Sequence, residues 1–340
     1  MPAFHKKAIA DIVSCRTPAQ GGQLYFCYSC DQFCYSYHSC KSRFCPKCQN
    51  EQGNLWLQKQ NHLLLPINYF LVTLTLPQEF RHLARSNQKL FYNILMRAAA
   101  AALQTVASNQ KFLGASPGIV SVLQTWTRDM RYHPHVHMIV SGGGICQKTN
   151  RWISCRHDYL MPQEALAKVF RAKFRDALKK VSPSFSVPRH VWKTDWVVDI
   201  RNVGSGELAL RYLAPYIFRV AISNRRILKL ENGLVTFQFK DSKTKTVQLA
   251  VLPAERFIQR FLQHVLPTGF QKVRYYGLFH PKRKSLLGRA KKLLGTDTEH
   301  QSEASIQQIS KTLHCPECGS PLKLLGTLPR QKPLKQVRSP

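Results

Sequence analysis

The chain is poor in acidic residues relative to basic ones. Its 340 residues include 18 Asp and Glu against 50 Lys and Arg, which gives a formal net charge of +32 at pH 7. The basic residues are spread along the whole chain rather than gathered in one tail, so a polyanion is the expected partner. Nucleic acid is favoured over a membrane surface, because the sequence has no amphipathic basic helix of the kind that lies on membranes.

Long apolar runs are also missing. No stretch of 18 or more apolar residues occurs, which argues against a membrane-spanning helix, and Met1–Lys7 lacks the apolar core of a secretory signal. We therefore expect an intracellular protein, long enough for one large domain or two ordinary ones. In a reducing compartment, clustered cysteines bind metal more often than they form disulfides.

The eleven cysteines are unevenly placed, and seven of them lie between Cys15 and Cys48. Cys27 and Cys30 form one CxxC knuckle, and Cys45 and Cys48 form a second one, with fourteen residues between them. This spacing is typical of four thiolates around one Zn²⁺ ion. Redox-active or free cysteines are the alternative.

Other residues of this segment are candidate ligands or DNA contacts. Cys15, Cys34, His38 and Cys40 could serve a second zinc ion, although their spacing does not decide among them. Lys41 and Arg43 stand among tyrosines and could contact DNA phosphates while the rings stack on bases. In so small a module the aromatic residues could instead pack on one another.

A further CxxC, Cys315–Cys318, is not followed by a second knuckle. It needs ligands from elsewhere, such as His314, Cys146 or Cys155, or it binds no metal. The tail from Thr327 is rich in Pro, Lys and Arg, which predicts flexibility. We expect a zinc-binding module over 1–65, a main domain over 66–285, and a basic, partly flexible C-terminal region over 286–340 that carries this half-knuckle.

Local patterns in the main domain alternate between β-like and helical. This order resembles a ferredoxin-like or RRM-like antiparallel sheet, which places the protein in the α+β class. Asn232-Gly233 between two β-like runs predicts a hairpin. Strands are predicted at 69–76, 119–126, 132–141 and 191–200, and helices at 82–108, 161–180, 206–223 and 253–265.

Three histidines alternate with other residues in the third of these strands. Alternation projects His133, His135 and His137 to one face, while residues such as Val136 enter the core. Two imidazoles, His135 and His137, leave open the coordination positions that a catalytic metal requires. His133 and Gln124, the latter on the neighbouring strand, are candidate third ligands, and purely structural histidines are the alternative.

Two tyrosines lie four residues apart in a helical segment. Tyr212 and Tyr216 share a helical face, and Arg211 and Arg219 flank them. Such a pair ordinarily packs in a core. A phenol titrates near pH 10, about three units above neutrality. Attack on a phosphodiester would therefore need a metal or arginines to stabilise the charge that develops on the phosphorane.

These segments resemble the two-tyrosine HUH transposases, the rolling-circle family of bacterial insertion sequences, where HUH denotes His-hydrophobic-His. The resemblance covers most of the chain. Departures occur at Gln23 and Gln124, where a histidine is expected. The resembling segments are Cys15–Thr17 with Gly21–Gly22, Tyr37–Gln49, Tyr69–Pro77, His133–Gly144, Tyr212–Tyr216 with Arg219–Arg226, and Val273–Gly277.

The resemblance implies an HUH endonuclease fold with Mg²⁺ or Mn²⁺ at His135 and His137. It implies that Tyr212 and Tyr216 cleave and rejoin single-stranded DNA through 5′-phosphotyrosine intermediates. The covalent bond conserves the phosphodiester energy, which agrees with the absence of a GxxxxGK[ST] nucleotide loop. Implied DNA contacts are Arg211, Arg219, Arg225 and Arg226.

The resemblance further implies a bacterial cytoplasmic protein that joins the nucleoid when it is bound to DNA. Its substrates would be the single-stranded ends of its own element, and a host helicase is a candidate partner because the chain carries no helicase motif. A plasmid replication initiator or relaxase is the nearest alternative, which the Tyr37–Gln49 segment disfavours. A non-catalytic zinc-dependent DNA-binding protein is the alternative from another class.

Overall fold

The computed structural model describes residues 1–48, 56–58, 60, 63–156, 158–181, 185–218, 221–241, 244–296 and 312–331, with the backbone alone over 213–216 and 218. The chain divides into two compact units. One comprises Met1–Asn50 and Thr298–Pro340, and the other comprises Glu51–Asp297.

The described ranges contain both strands and helices. The strands are β1 (Gly22–Cys27), β2 (Gln32–Tyr37), β3 (Asn68–Thr75), β4 (Ser116–Trp126), β5 (Tyr132–Ile145), β6 (Trp152–Ser154), β7 (Val198–Ser205), β8 (Ile227–Glu231), β9 (Leu234–Lys240), β10 (Val247–Pro253), β11 (Val273–Gly277) and β12 (Lys323–Leu328). The helices are α1 (Ala3–Ser14), α2 (Arg81–Ser86), α3 (Gln88–Ala107), α4 (Gln163–Val181), α5 (Gly206–Phe218), α6 (Ala254–Leu262) and α7 (Lys284–Leu293).

The unit that holds both ends of the chain contains a small antiparallel sheet in the order β12-β1-β2. The C-terminal strand therefore pairs with the N-terminal hairpin. Within the C-terminal region over 286–340, the helix Lys284–Leu293 belongs to the larger unit, whereas residues 312–331 belong to this one. The apolar cluster in this unit is formed by thiol groups packed against Ile12.

The larger unit is built on a sheet in the order β11-β4-β5-β3-β7, with β6 paired to β5. Its paired strands are antiparallel. In the succession β3-α3-β4-β5-α4-β7, each pair of strands joined by a helix has another strand between its members. This is the split βαβ arrangement of ferredoxin-like sheets. The predicted α+β class with antiparallel sheets is confirmed.

Both faces of the central sheet are covered. Helix α3 packs on β4 and β5, and the hydroxyl groups of Tyr92 and Tyr132 lie 2.8 Å apart. The opposite face, which carries Leu71 and Ile139, forms a core with Ala209 of α5 and with α7. Helix α3 is long and apolar enough to cross a membrane, but 67% of its apolar window is buried inside the protein, as in a core helix.

Two predicted elements differ from those observed. The helix predicted over 82–108 is broken between α2 and α3. The strand predicted over 191–200 begins only at Val198, because the preceding apolar residues pack as an aromatic cluster. In that cluster the rings of Trp192 and Trp196 lie 5.4 and 5.6 Å from the ring of Phe80. Aromatic contacts thus determine the local conformation where the β propensity of this stretch suggested a strand.

A second antiparallel sheet in the larger unit has the order β10-β9-β8. The predicted hairpin at Asn232-Gly233 is confirmed, and both residues have positive φ, 50° and 73°, as a tight two-residue turn requires. Phe257 of α6 packs against Phe237 of this sheet, with a ring-centroid separation of 5.7 Å.

Candidate active site and metal centres

Two rows of residues cross the α5-covered face of the central sheet. In one row Gln124, His135 and Thr75 are paired across β4, β5 and β3. In the next row Val122, His137, Thr73 and Asp199 are paired across β4, β5, β3 and β7. Directly paired Cβ atoms lie about 5 Å apart, so each row is a set of contacting neighbours. The ring centroids of His135 and His137 are 4.8 Å apart.

His137 is buried and is held by a neighbouring hydroxyl group. Its Nδ1 lies 3.1 Å from Oγ1 of Thr73. Burial lowers the pKa of His137 to about 4, and the nearby Asp199 carboxylate opposes this shift only in part. The imidazole is therefore neutral at physiological pH, which is the protonation state that a metal ligand needs.

His135 has a defined tautomer. Its Nδ1 lies 2.7 Å from the carbonyl oxygen of His133, and because a carbonyl only accepts, Nδ1 must carry the proton and donate it. The lone pair then resides on Nε2, the atom that would bind a metal. The pKa of His135 lies well below its ordinary value, mainly because the ring is buried and also because His137 is close to it.

Gln124 supplies a third polar group on this face. Its Nε2 lies 3.4 Å from the Trp126 carbonyl oxygen, whereas its buried Oε1 has no hydrogen-bond partner among the described residues. An unpaired buried amide oxygen costs free energy, about 1–3 kcal/mol, unless a ligand satisfies it. Two neutral imidazoles and an amide oxygen fit a divalent cation, and no carboxylate or third imidazole of the described residues joins them.

His133 is less suited to bind a metal. The guanidinium group of Arg81 lies 3.1 Å from Nδ1 of His133, and since arginine only donates, this nitrogen must accept. The neutral ring then carries its proton on Nε2, so neither nitrogen offers a lone pair. Burial and the charge of Arg81 both lower the pKa of His133. In this arrangement the Arg81–His133 pair presents positive charge and hydrogen-bond donors instead.

Helix α5 brings the two tyrosines to the same sheet. Ala209 and Ile217 of α5 pack in one core with Leu71 and Ile139, which lie two residues beyond Thr73 and His137 along β3 and β5. Tyr212 is 41% exposed, so its phenol is accessible to solvent. Tyr216 lies one helical turn further along α5, and its side chain is outside the described part of the chain.

The arginines predicted to contact DNA differ in their environment. Arg211 forms an ion pair with Glu207 at 2.7 Å on the exposed side of α5. Arg226 donates to the backbone carbonyl groups of Gln238 and Arg128, so it joins segments of the larger unit. Arg225 is exposed, and Arg219 lies outside the described residues.

Lys41 and Arg43 lie between two thiols of the smaller unit, Cys40 and Cys45. Lys41 has a positive φ of 52°, and the guanidinium of Arg43 lies 5.0 Å from the ring centroid of its neighbour Phe44.

Eight of the eleven cysteines form two groups in the smaller unit. Within each group the thiol sulfurs lie within 4.8 Å of one another: Cys15, Cys40, Cys45 and Cys48 in one, and Cys27, Cys30, Cys315 and Cys318 in the other. The predicted single set of Cys27, Cys30, Cys45 and Cys48 is not the grouping observed. The β1–β2 hairpin explains the difference, because the knuckle that begins at Cys27 lies at its turn, whereas the later thiols follow its other end. Six-residue strands separate those ends by about 20 Å.

The remaining predicted zinc ligands, and the residues that the sequence did not indicate, lie as follows. Cys15 and Cys40 join the first thiol group, whereas His38 joins neither group in the described ranges. Sequence reasoning missed Thr73 and Asp199, whose places beside His137 depend on strand pairing. It also missed a cleft of about 750 Å³ in the larger unit. Basic residues that line this cleft include Lys89, Arg97, Arg274 and His280.

Together these features define an α+β protein with two groups of four thiols, a strongly basic composition and a buried imidazole pair. A family model described as "Putative transposase" matches residues 118–285, and one described as "Transposase zinc-binding domain" matches residues 1–76. The first spans the histidine strand and helix α5. The second spans the first thiol group but ends well before Cys315.

Two curated proteins extend this similarity. The chain is 35% identical over 319 residues to "Putative transposase y4qJ" of Sinorhizobium fredii (strain NBRC 101917 / NGR234), covering 88% of this chain and 80% of that protein. It is 25% identical over 300 residues to "Transposase for insertion sequence element IS801" of Pseudomonas savastanoi pv. phaseolicola, covering 80% of this chain and 69% of that protein. The chain therefore belongs to this transposase family, a class of DNA-processing enzymes, and its N-terminal segment is a zinc-binding domain.

Proposed function

We propose that this transposase cleaves and rejoins single-stranded DNA, with Tyr212 and Tyr216 as the nucleophiles. The observation that carries the proposal is the packing of α5 on the sheet face that bears His135 and His137. A phosphodiester beside the second half of this helix, which carries Tyr212 and Tyr216, would meet a phenol on one side and imidazoles on the other. Two tyrosines one turn apart would allow one strand to be held while a second is cut.

The proposed reaction conserves the number of phosphodiester bonds. The phenol oxygen of Tyr212 or Tyr216 forms a bond to phosphorus, and the bond from phosphorus to the 3′ oxygen breaks. The phenolic proton passes, through solvent, to the departing 3′ oxygen, which leaves as a hydroxyl group. In the reverse step a 3′-hydroxyl group attacks the 5′-phosphotyrosine and the phenol is regenerated. Strand transfer therefore needs no nucleotide cofactor.

His135, His137 and Gln124 would hold a Mg²⁺ or Mn²⁺ ion at this site. The ion would polarise a phosphate oxygen and stabilise the charge that develops during the displacement. All three ligands are neutral, so the full charge of the cation would act on the phosphate. Thr73 and the His133 carbonyl oxygen would orient the two rings, and Arg81 would place a further positive charge beside them.

We propose that the substrates are the single-stranded ends of the element that encodes this transposase. The net charge of +32 favours a nucleic-acid polyanion. The exposed Arg225, with Lys89 and Arg97 in the cleft, would contact the phosphate backbone. A host helicase would supply unwound strands, and the protein would act in the bacterial cytoplasm, on the nucleoid.

The decisive experiment incubates the full chain with a single-stranded oligonucleotide that spans an end of the element, in the presence of Mg²⁺. A denaturing gel should then reveal a covalent protein–DNA adduct. Tyr212→Phe and Tyr216→Phe should each remove one of the two attachment sites, which peptide mapping identifies, and the double variant should give no adduct. Tyr159→Phe is the matched control, because Tyr159 is also exposed but lies outside α5.

Two outcomes would contradict the proposal. Persistence of the adduct in the Tyr212→Phe, Tyr216→Phe double variant would place the nucleophile elsewhere. Adduct formation that is unchanged in a His135→Ala, His137→Ala double variant would remove the role proposed for the imidazoles. That second variant should reduce the rate at least about 10²-fold, as expected when a catalytic ion loses its ligands.

A further inference from the structure

We propose that the two ends of the chain are joined by a second structural zinc site, formed by Cys27 and Cys30 with Cys315 and Cys318. This site is separate from the first thiol group, which consists of Cys15, Cys40, Cys45 and Cys48. It gives the C-terminal half-knuckle the ligands that the sequence does not supply locally. The protein would thus bind two structural zinc ions per chain.

The distances between the sulfur atoms fit four thiols that bind one metal ion and do not fit a disulfide. Sγ of Cys27 lies 3.6 Å from Sγ of Cys318, and Sγ of Cys30 lies 3.9 Å from Sγ of Cys315. A disulfide requires about 2.05 Å. Four sulfurs placed tetrahedrally about 2.3 Å from one zinc ion have edges of about 3.8 Å, which agrees with both distances. The first thiol group has similar separations, 3.4 and 3.7 Å.

The two knuckles of the proposed site have matching backbones. The residue after each CxxC, Asp31 and Gly319, has a positive φ, 53° and 74° respectively. In the C-terminal knuckle the N–H of Gly319 donates to the carbonyl oxygen of Cys315 at 2.9 Å, which closes the turn. The knuckles also contact each other directly, since Oγ of Ser29 lies 3.0 Å from Oγ of Ser320.

The C-terminal strand is held mainly by backbone pairing with β1. Leu324 and Leu325 of β12 are about half exposed, so the strand buries little apolar surface when it pairs with β1. Ordering such a segment costs conformational entropy that its own side chains do not offset. A zinc ion that crosslinks Cys27 and Cys318, which are 291 positions apart, closes a long loop and supplies the missing stabilisation.

Metal content tests the proposal directly. The full chain, purified under reducing conditions, should contain two zinc ions per molecule by elemental analysis. The Cys315→Ser, Cys318→Ser double variant should retain one. Cys146→Ser should retain both, which makes it the control, because Cys146 belongs to neither thiol group and lies in the larger unit.

Thiol labelling identifies which cysteines bind the ion together with Cys315 and Cys318. It also gives a result if the double variant folds poorly. In the wild type, an alkylating reagent should spare all eight grouped cysteines. In the Cys315→Ser, Cys318→Ser variant, Cys27 and Cys30 should become reactive, while the four thiols of the first group stay protected. Intrinsic tryptophan fluorescence would verify that the larger unit, which contains all five tryptophans, is intact.

Several results would overturn the proposal. They are one zinc ion in the wild type, two in the double variant, unchanged protection of Cys27 and Cys30, or loss of an ion from Cys146→Ser. None of them bears on the tyrosine chemistry, which the adduct assay measures separately.

Discussion

Thr73 and His137 face each other across β3 and β5, with Oγ1 of the threonine 3.1 Å from Nδ1 of the imidazole. Asp199 is the next residue in the same row, on β7. A hydrogen bond at Nδ1 fixes the orientation of the ring, and in the tautomer in which Nδ1 donates to the hydroxyl oxygen, Nε2 carries the lone pair that would bind a metal. The sheet itself therefore positions the imidazole, which requires no loop closure.

The first prediction concerns this hydroxyl group. Thr73→Val keeps the shape of the side chain but removes the partner of His137 Nδ1. We expect the concentration of Mg²⁺ needed for half-maximal adduct formation to rise about 10–100-fold, the usual effect of losing a group that orients a metal ligand. Thr73→Ser should restore it. Equal Mg²⁺ dependence of the valine variant and the wild type would contradict this role.

Local sequence patterns predicted the elements of the site but not their mutual arrangement. The alternation of His135 and His137 predicted a strand, and the spacing of Tyr212 and Tyr216 predicted a helical face. The neighbouring-strand position of Gln124 was also predicted, but the order of the sheet places Thr73 and Asp199 beside His137 from strands β3 and β7, which no local pattern indicated. Such pairing is set by long-range contacts, which a local sequence pattern does not determine.

The cysteines illustrate the same limit. Their types and CxxC spacing predicted zinc binding, and the match to a zinc-binding domain agrees with that. Spacing alone nevertheless grouped Cys27 with Cys45, because the two knuckles are close in sequence. The β1–β2 hairpin separates them, and the pairing of β12 with β1 brings Cys318 from the far end of the chain instead.

The second prediction concerns Gln124, whose buried Oε1 has no partner in the described residues. Gln124→Leu should weaken Mn²⁺ binding about 10-fold or more, since it removes the oxygen and leaves the two imidazoles alone. Gln124→His should restore tight binding by offering a third imidazole. Titration calorimetry with Mn²⁺ on zinc-loaded protein measures both effects. If the leucine variant binds Mn²⁺ as tightly as the wild type, Gln124 is not a ligand.

The third prediction concerns acid stability. His264 is buried, with Nδ1 3.2 Å from Thr125 Oγ1 and Nε2 donating to the Met130 carbonyl oxygen, and burial lowers its pKa to about 4. The unfolded chain has the ordinary pKa of about 6.5. Between these values the unfolded state binds more protons, so stability falls as the pH falls. His264 alone should remove about 2 kcal/mol between pH 7 and pH 5.

Denaturant unfolding at pH 7 and pH 5 measures this loss of stability. Tryptophan fluorescence is a suitable probe, because the ring of Trp126 lies 5.9 Å from that of His264. His264→Gln should be less stable at pH 7 but should lose less stability on acidification. The exposed His82→Gln is the control and should keep the slope of the wild type. If all three proteins lose the same stability between pH 7 and pH 5, His264 is not the source of that loss.

The fourth prediction separates backbone strain from steric overlap at two glycines. Gly277 ends β11 with φ 60°, and a Cβ built there would overlap the carbonyl oxygen of Pro117 on β4. Gly269 has φ 72°, and nothing lies within 4 Å of its Cβ position. Gly269→Ala should therefore cost only the left-handed conformation, about 1–2 kcal/mol. Gly277→Ala must also displace β11 from β4 and should cost more than about 3 kcal/mol. Fluorescence-detected unfolding in urea compares the two, and equal losses would mean that the close approach of Gly277 to β4 does not constrain the edge of the sheet.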